Sequence, residues 1–187
     1  MNVYKHCPTY ENDEFILRPV SDSDKSDLLK VYGDIKSVPF FNSDNCHGDD
    51  FHYTTPERMQ QALDFWKQAY DNGWFVRRAI VCKATGAAIG TIEEFLRTAD
   101  DHFTECDLLR IDLRSDYERR DAIKSILALI LPTARDMFGC KKIATKATPA
   151  AAERIKALSE CGFVGSEHKL IGFDGTEYSD YYEKYLA

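Results

Sequence analysis

Four carboxylates, Glu93, Glu94, Glu105 and Asp107, fall at the end of one strand-like run, AIGTIEEFL, and at the start of the next, TECDLLRIDLR. A carboxylate so placed can take a proton from an incoming nucleophile, and Glu94 and Glu105 are the general-base candidates; solvated charges at strand ends are the competing reading. Cys106, beside Glu105, has no sequence sign of a partner histidine and reads as a small core residue. His6, His47, His52, His102 and His168 are scattered without ligand spacing, and the six cysteines include no Cys-x-x-Cys, so no metal residues are assigned. Phe40, Phe41, Phe51 and Tyr53 crowd one loop, where they either line a pocket or pin the loop.

Composition narrows the partners. The 187 residues carry a net charge of −7, the wrong sign for a chain that must neutralise many phosphates, so nucleic acid is not expected. The start MNVYKHCPTYENDE has no apolar leader, and no apolar run reaches about 18 residues, so neither secretion nor a membrane span is expected. Unclustered cysteines fit reduced thiols in a cytoplasm. With 44% hydrophobic residues, no repeats and no linker, the expectation is a single domain over 1–187.

The elements that must position these residues follow from local pattern. FILRPV (15–20) reads as a strand that stops at Ser21-Asp22-Ser23-Asp24, where side-chain oxygens cap a helix. Thr55-Pro56-Glu57 opens a second helix that ends at Asn72-Gly73. Runs 74–83 and 88–96, joined at Ala84-Thr85-Gly86-Ala87, form an antiparallel hairpin. Leu109, Ile111 and Leu113 alternate with charged residues, which predicts a half-buried strand with the three on one face. Apolar residues from Ala122 to Met137 recur at helical spacing, broken or kinked at Pro132. A strand at 141–147, a helix from Thr148-Pro149 to Gly162, and strands 163–173 and 177–186 around Asp174-Gly175 complete a mixed α/β order.

Several phrases together carry a resemblance. They are Leu17-Arg18-Pro19 with the acidic helix start at Asp22 and Asp24, ATGAAIGTI (84–92), LRSDYERRDAIKSIL (113–127), CGF (161–163) and FDGTEYSDYYEKY (173–185). In these the chain resembles the GNAT superfamily of acyl-CoA-dependent N-acyltransferases, particularly the branch that acetylates ribosomal-protein N-termini. The resemblance implies a GNAT fold with a mixed, mostly antiparallel sheet flanked by helices. It also implies acetyl-CoA as co-substrate and a primary amine of a small molecule or peptide as acceptor, in a monomer or homodimer. The coenzyme would lie along Ile111, Leu113, Glu118, Arg119, Arg120, Asp121, Ala122 and Ile123, with backbone N–H groups at a helix start cradling its pyrophosphate.

That loop departs from the family pattern Arg/Gln-x-x-Gly-x-Gly/Ala at Glu118, Asp121 and Ile123. A carboxylate about 4 Å from a phosphate costs on the order of 4 kcal/mol at an effective dielectric of about 20, roughly a thousandfold in affinity. Arg119 and Arg120 would offset this if turned inward. Ala151 and Leu158 stand where many members carry an Asn and a Tyr that serve the coenzyme. Two readings therefore stay open: an N-acetyltransferase, or a GNAT-fold binding or regulatory protein with weak or no acetyl-CoA binding.

Overall fold

The computed structural model describes residues 2–186. Its strands are β1 (Tyr10–Glu11), β2 (Phe15–Pro19), β3 (Val76–Cys82), β4 (Ala88–Arg97), β5 (Cys106–Leu113), β6 (Lys142–Lys146), β7 (Val164–Gly165), β8 (Leu170–Ile171), β9 (Glu177–Tyr178) and β10 (Tyr181–Tyr185). Its helices are α1 (Lys25–Tyr32), α2 (Pro56–Asp71), α3 (Arg120–Ile130), α4 (Ala134–Phe138) and α5 (Ala152–Glu160). Eight strands form one sheet in the order β1-β2-β3-β4-β5-β6-β10-β7, while β8 and β9 pair separately. Every sheet pairing is antiparallel except β5 with β6.

Strand alternation divides the sheet into two packed faces. Ile80, Ile92, Leu109, Ile111 and Leu113 pack on one side against Ile123, Ile126 and Leu127 of α3 and Leu158 of α5. On the other side Ala79 and Val81 pack against Leu28 and Tyr32 of α1 and Met59, Leu63 and Trp66 of α2. Leu109, Ile111 and Leu113 thus share one face, as the alternation predicts. The expected half-buried strand is corrected, however: helices cover both faces, so β5 is buried along its whole length, and Arg110 and Asp112 between the apolar residues are charges held inside the protein. Gly90 lets β4 and β5 approach, because a Cβ there would sit 2.3 Å from the Asp112 carbonyl oxygen.

Local chemistry explains the remaining boundaries. Ser21 and Asp24 form a reciprocal cap before α1, and the Thr55 hydroxyl accepts from the Arg58 N–H at α2. Pro132 separates α3 from α4. The helix expected from Thr148 begins at Ala152, because Ala151 first turns back onto the Thr148 carbonyl. The two long closing strands are instead four short ones. Leu170–Ile171 pairs with Glu177–Tyr178 around Asp174-Gly175, whereas Val164–Gly165 pairs with β10 at the sheet edge.

Candidate functional site

The pairing of β5 with β6 ends at Leu109 opposite Thr145. Beyond that point Arg110 to Leu113 have no β6 partner, and the two parallel strands part. The segment after α1 crosses this opening. Arg154 of α5 donates to the Phe40 carbonyl at 3.0 Å, buried Asn42 reaches Tyr181, and the Asp44 carboxylate accepts from Lys146 at 2.7 Å and Tyr181 at 3.1 Å. Arg110 holds the Asp44 carbonyl at 2.8 Å.

Beside this crossing lies a cavity of about 510 Å³ on the α1–α2 face of the sheet. Its walls include Phe51, Tyr53, Phe65, Trp66, Trp74 and Phe75, and its floor contains Arg77, Glu93 and Arg110. The floor is a closed ionic network. Glu93 is bound by Arg77 and, at 2.6 Å, by Arg110; Arg77 also reaches Thr91 at 2.9 Å, Tyr32 at 2.9 Å and Asp112 at 3.2 Å. The Trp66 ring lies 4.3 Å from the Arg77 guanidinium. Burial raises the Glu93 carboxyl, but Arg77 and Arg110 outweigh it and hold Glu93 below the ordinary carboxylate range. Asp112 goes the other way, raised by burial despite Arg77 and Tyr32, with Oδ1 left without a donor among the described residues. A carboxylate clamped by two guanidiniums is a weak base, so Glu93 can position a ligand better than deprotonate one.

The candidate bases lie elsewhere. Glu94 points to the opposite face of the sheet from Glu93, fully buried and ion-paired with Arg78. Glu105 is exposed, in a left-handed backbone conformation (φ 48°) just before β5, and lines a smaller cavity of about 190 Å³ with Leu96 and Phe138. The two are therefore not brought together. Of the four loop aromatics, Phe51 and Tyr53 line the large cavity, Phe41 packs on Tyr32 with ring centroids 5.2 Å apart, and Phe40 lends its carbonyl to Arg154.

Ile111, Leu113, Ala122 and Ile123 are core residues, and Glu118, Arg119, Arg120 and Asp121 lie together at the start of α3. Glu118 is locked to Arg154, Arg119 lies over the Tyr117 ring at 5.5 Å, and Arg120 pairs with the exposed Asp121 at 2.9 Å. The Arg120 N–H donates to Glu153 Oε2 of α5 at 3.1 Å, and that contact holds the Glu153 carboxyl below its ordinary value. Among the described residues the Asp121 and Ala122 N–H groups have no acceptor. Neither Asp116, which pairs with Arg114, nor Asp121 caps them.

These groups fit an anion at the helix start, and Glu153 supplies the observation: a carboxylate of the chain itself already rests on the first N–H. Sequence reading missed Glu153 and Arg154, since nothing in AERIKALSE beyond helical spacing marks either.

Solved structures share this fold over nearly the whole chain. A GNAT-family acetyltransferase from Bacillus anthracis superposes with a TM-score of 0.66 at 10% identity, covering 94% of this chain and 96% of its own. The fold is that of the GNAT acetyltransferases. A spermidine N-acetyltransferase from Vibrio cholerae, solved in complex with CoA and spermine, matches with a TM-score of 0.66 at 13% identity over 94% of this chain and 97% of that one. A ribosomal-protein-serine acetyltransferase-like protein from Vibrio cholerae matches with a TM-score of 0.69 at 9% identity and 99% coverage of both chains. No protein-family model and no curated protein matches the chain. At these identities the GNAT likeness is one of fold.

Proposed function

We propose that this GNAT-fold protein is a cytoplasmic N-acetyltransferase that moves an acetyl group from acetyl-CoA to a primary amine of a small molecule or peptide. The observation that carries the reading is the parting of β5 from β6 after Leu109 and Thr145, directly beside the aromatic cavity floored by Arg77, Glu93 and Arg110. An amine in that cavity would stand at the opening between the strands. Acetyl-CoA supplies an activated thioester; the amine forms the new N–C bond, the C–S bond breaks, and the thiolate takes up a proton. Asp121 and Ala122 would offer backbone N–H groups to the pyrophosphate, with Arg119 and Arg120 beside them.

With Glu93 clamped, the amine loses its proton to water at the cavity mouth. Activity should then rise with pH toward the acceptor amine's own pKa, about 10.4 for a lysine-type amine and about 8 for a peptide α-amine, with no plateau set by a protein carboxylate. The test is incubation with acetyl-CoA and a panel of amines and peptides, reading free thiol and the mass of the acetylated product. Product that forms faster as pH rises supports the proposal. Folded protein that gives no product with any amine overturns it.

A second reading, a GNAT-fold binding or regulatory protein, is favoured by one specific feature. Glu118 and Glu153 place two carboxylates at the start of α3, one locked by Arg154 and one resting on the Arg120 N–H. On that reading the aromatic cavity binds its ligand unchanged.

A further inference from the structure

On the sheet face opposite the aromatic cavity, Glu94 and Asp107 are buried beside a single cation. Antiparallel register sets Glu94 opposite Leu109 and Leu96 opposite Asp107, so the two acids are diagonal neighbours on one face. Both are 0% exposed. Arg78, also 0% exposed, binds Glu94 Oε2, while Glu94 Oε1 and both Asp107 oxygens have no donor among the described residues. Two carboxylates and one guanidinium leave one surplus negative charge shielded from solvent, a state that proteins avoid by holding a proton. Burial, followed by the charge of Glu94, pushes the Asp107 carboxyl well above its ordinary value despite Arg78.

The cover over this trio is the N-terminal segment. Arg78 Nε donates to the Pro8 carbonyl at 3.2 Å, the Tyr10 ring lies 5.2 Å from the Arg78 guanidinium, and the Tyr70 hydroxyl of α2 holds the Val3 carbonyl at 2.9 Å. Met137 of α4 contacts Arg78 at 3.3 Å. The other titratable groups facing the trio are Tyr4 and Cys7 from the segment, Tyr70 from α2 and Cys140 after α4, while Cys106 of β5 points to the other face of the sheet. None of them brings a positive charge. Arg135 and Asp136 of α4 are exposed.

We propose that Arg78, Glu94 and Asp107 form a one-proton switch beneath residues 2–11: with the proton bound the trio is neutral and the segment closes over it, and opening the segment releases the proton. The sign follows from linkage. A carboxyl whose folded pKa is raised contributes stability that is complete below its unfolded value of about 3.9 and is lost as pH rises toward the folded value. One proton released on opening makes the opening constant grow about tenfold per pH unit across that window.

Hydrogen exchange of the amides of residues 2–11, including those of β1 where it pairs with β2, reads the opening. After correction for intrinsic exchange, their protection should fall as pH rises above the ordinary carboxylate range in the parent, by up to about tenfold per unit until the folded carboxyl has titrated. It should be flat in Asp107→Asn, which keeps His6 and every other titrating group of the segment. Infrared spectra of the parent and of Asp112→Asn, which removes the other raised carboxyl, should also both show a buried protonated carboxyl just above the ordinary carboxylate range, whether or not Asp107→Asn folds. Protection independent of pH in the parent, an unchanged slope in Asp107→Asn, or no protonated carboxyl in the parent would each overturn the switch.

Discussion

Glu118 grips Arg154 with both carboxylate oxygens, each 2.7 Å from its nitrogen partner, Nε on one side and Nη2 on the other. The two side chains are 6% and 1% exposed, and the third arm of Arg154 holds the Phe40 carbonyl. The pair therefore ties α5 and the start of α3 to the segment that crosses the opening between β5 and β6. Removing either partner leaves a buried charge uncompensated, so Glu118→Ala or Arg154→Ala should cost roughly 3–5 kcal/mol in urea unfolding. The double variant Glu118→Leu with Arg154→Met should recover most of that loss. Equal losses in the single and double variants would show that the ionic pairing is not what stabilises the contact.

Glu153 competes for the place where an anion would bind. It is well exposed and also reaches Lys156 at 3.3 Å, so it can swing away. Glu153→Gln weakens its hold on the Arg120 N–H, and acetyl-CoA affinity should rise about two- to fivefold, the usual effect of one charge at a helix start. Calorimetry reads the change, and an unchanged or weaker affinity would remove Glu153 from the coenzyme path.

Two tryptophans of the aromatic cavity should separate packing from binding. Trp66 is 4% exposed and covers Arg77, so Trp66→Ala should cost about 3–5 kcal/mol of stability. Trp74 is 55% exposed at the rim, so Trp74→Ala should change stability by no more than about 0.5 kcal/mol. If the cavity is the acceptor site, Trp74→Ala raises KM for the amine while leaving the urea midpoint in place.

Stability should also fall on both sides of a pH optimum. Glu93, raised by burial but lowered further by its two arginines, and Asp24, raised by burial but held down by Arg18 and Ser21, both have depressed carboxyls. Their contribution is present above the unfolded values of about 4 and is lost as pH falls. Asp112 is raised, so its contribution is complete below about 3.9 and declines as pH rises through the folded value. Thermal melts across pH should show that decline reduced in Asp112→Asn, whose uncharged side chain needs no proton.

Apolar spacing and cap residues made most of the fold legible. Thr55-Pro56, Pro132 and the β5 alternation each mark an element that the structure contains, because these signals act within a few residues. The burial of Arg77, Arg78, Glu93, Glu94, Asp107 and Asp112 was not legible, since it depends on helices covering both sheet faces and on cross-strand partners far apart in sequence. The same holds at α3. Asp121 reads as a charge set against a phosphate, yet its carboxylate is exposed and paired with Arg120, so solvent screens it and Asp121→Gly should raise affinity far less than the thousandfold of the unscreened estimate. The carboxylate that does occupy the helix start comes from Glu153, 33 positions on from Arg120.

Acetyl-CoA binding to the intact chain is the most direct measurement of the proposed transferase. Calorimetry on the parent and on Glu153→Gln should show saturable binding in both, tighter in the variant. Absence of binding in both proteins, each shown to be folded by its thermal melt, would contradict the account and leave the GNAT fold serving as a binding protein.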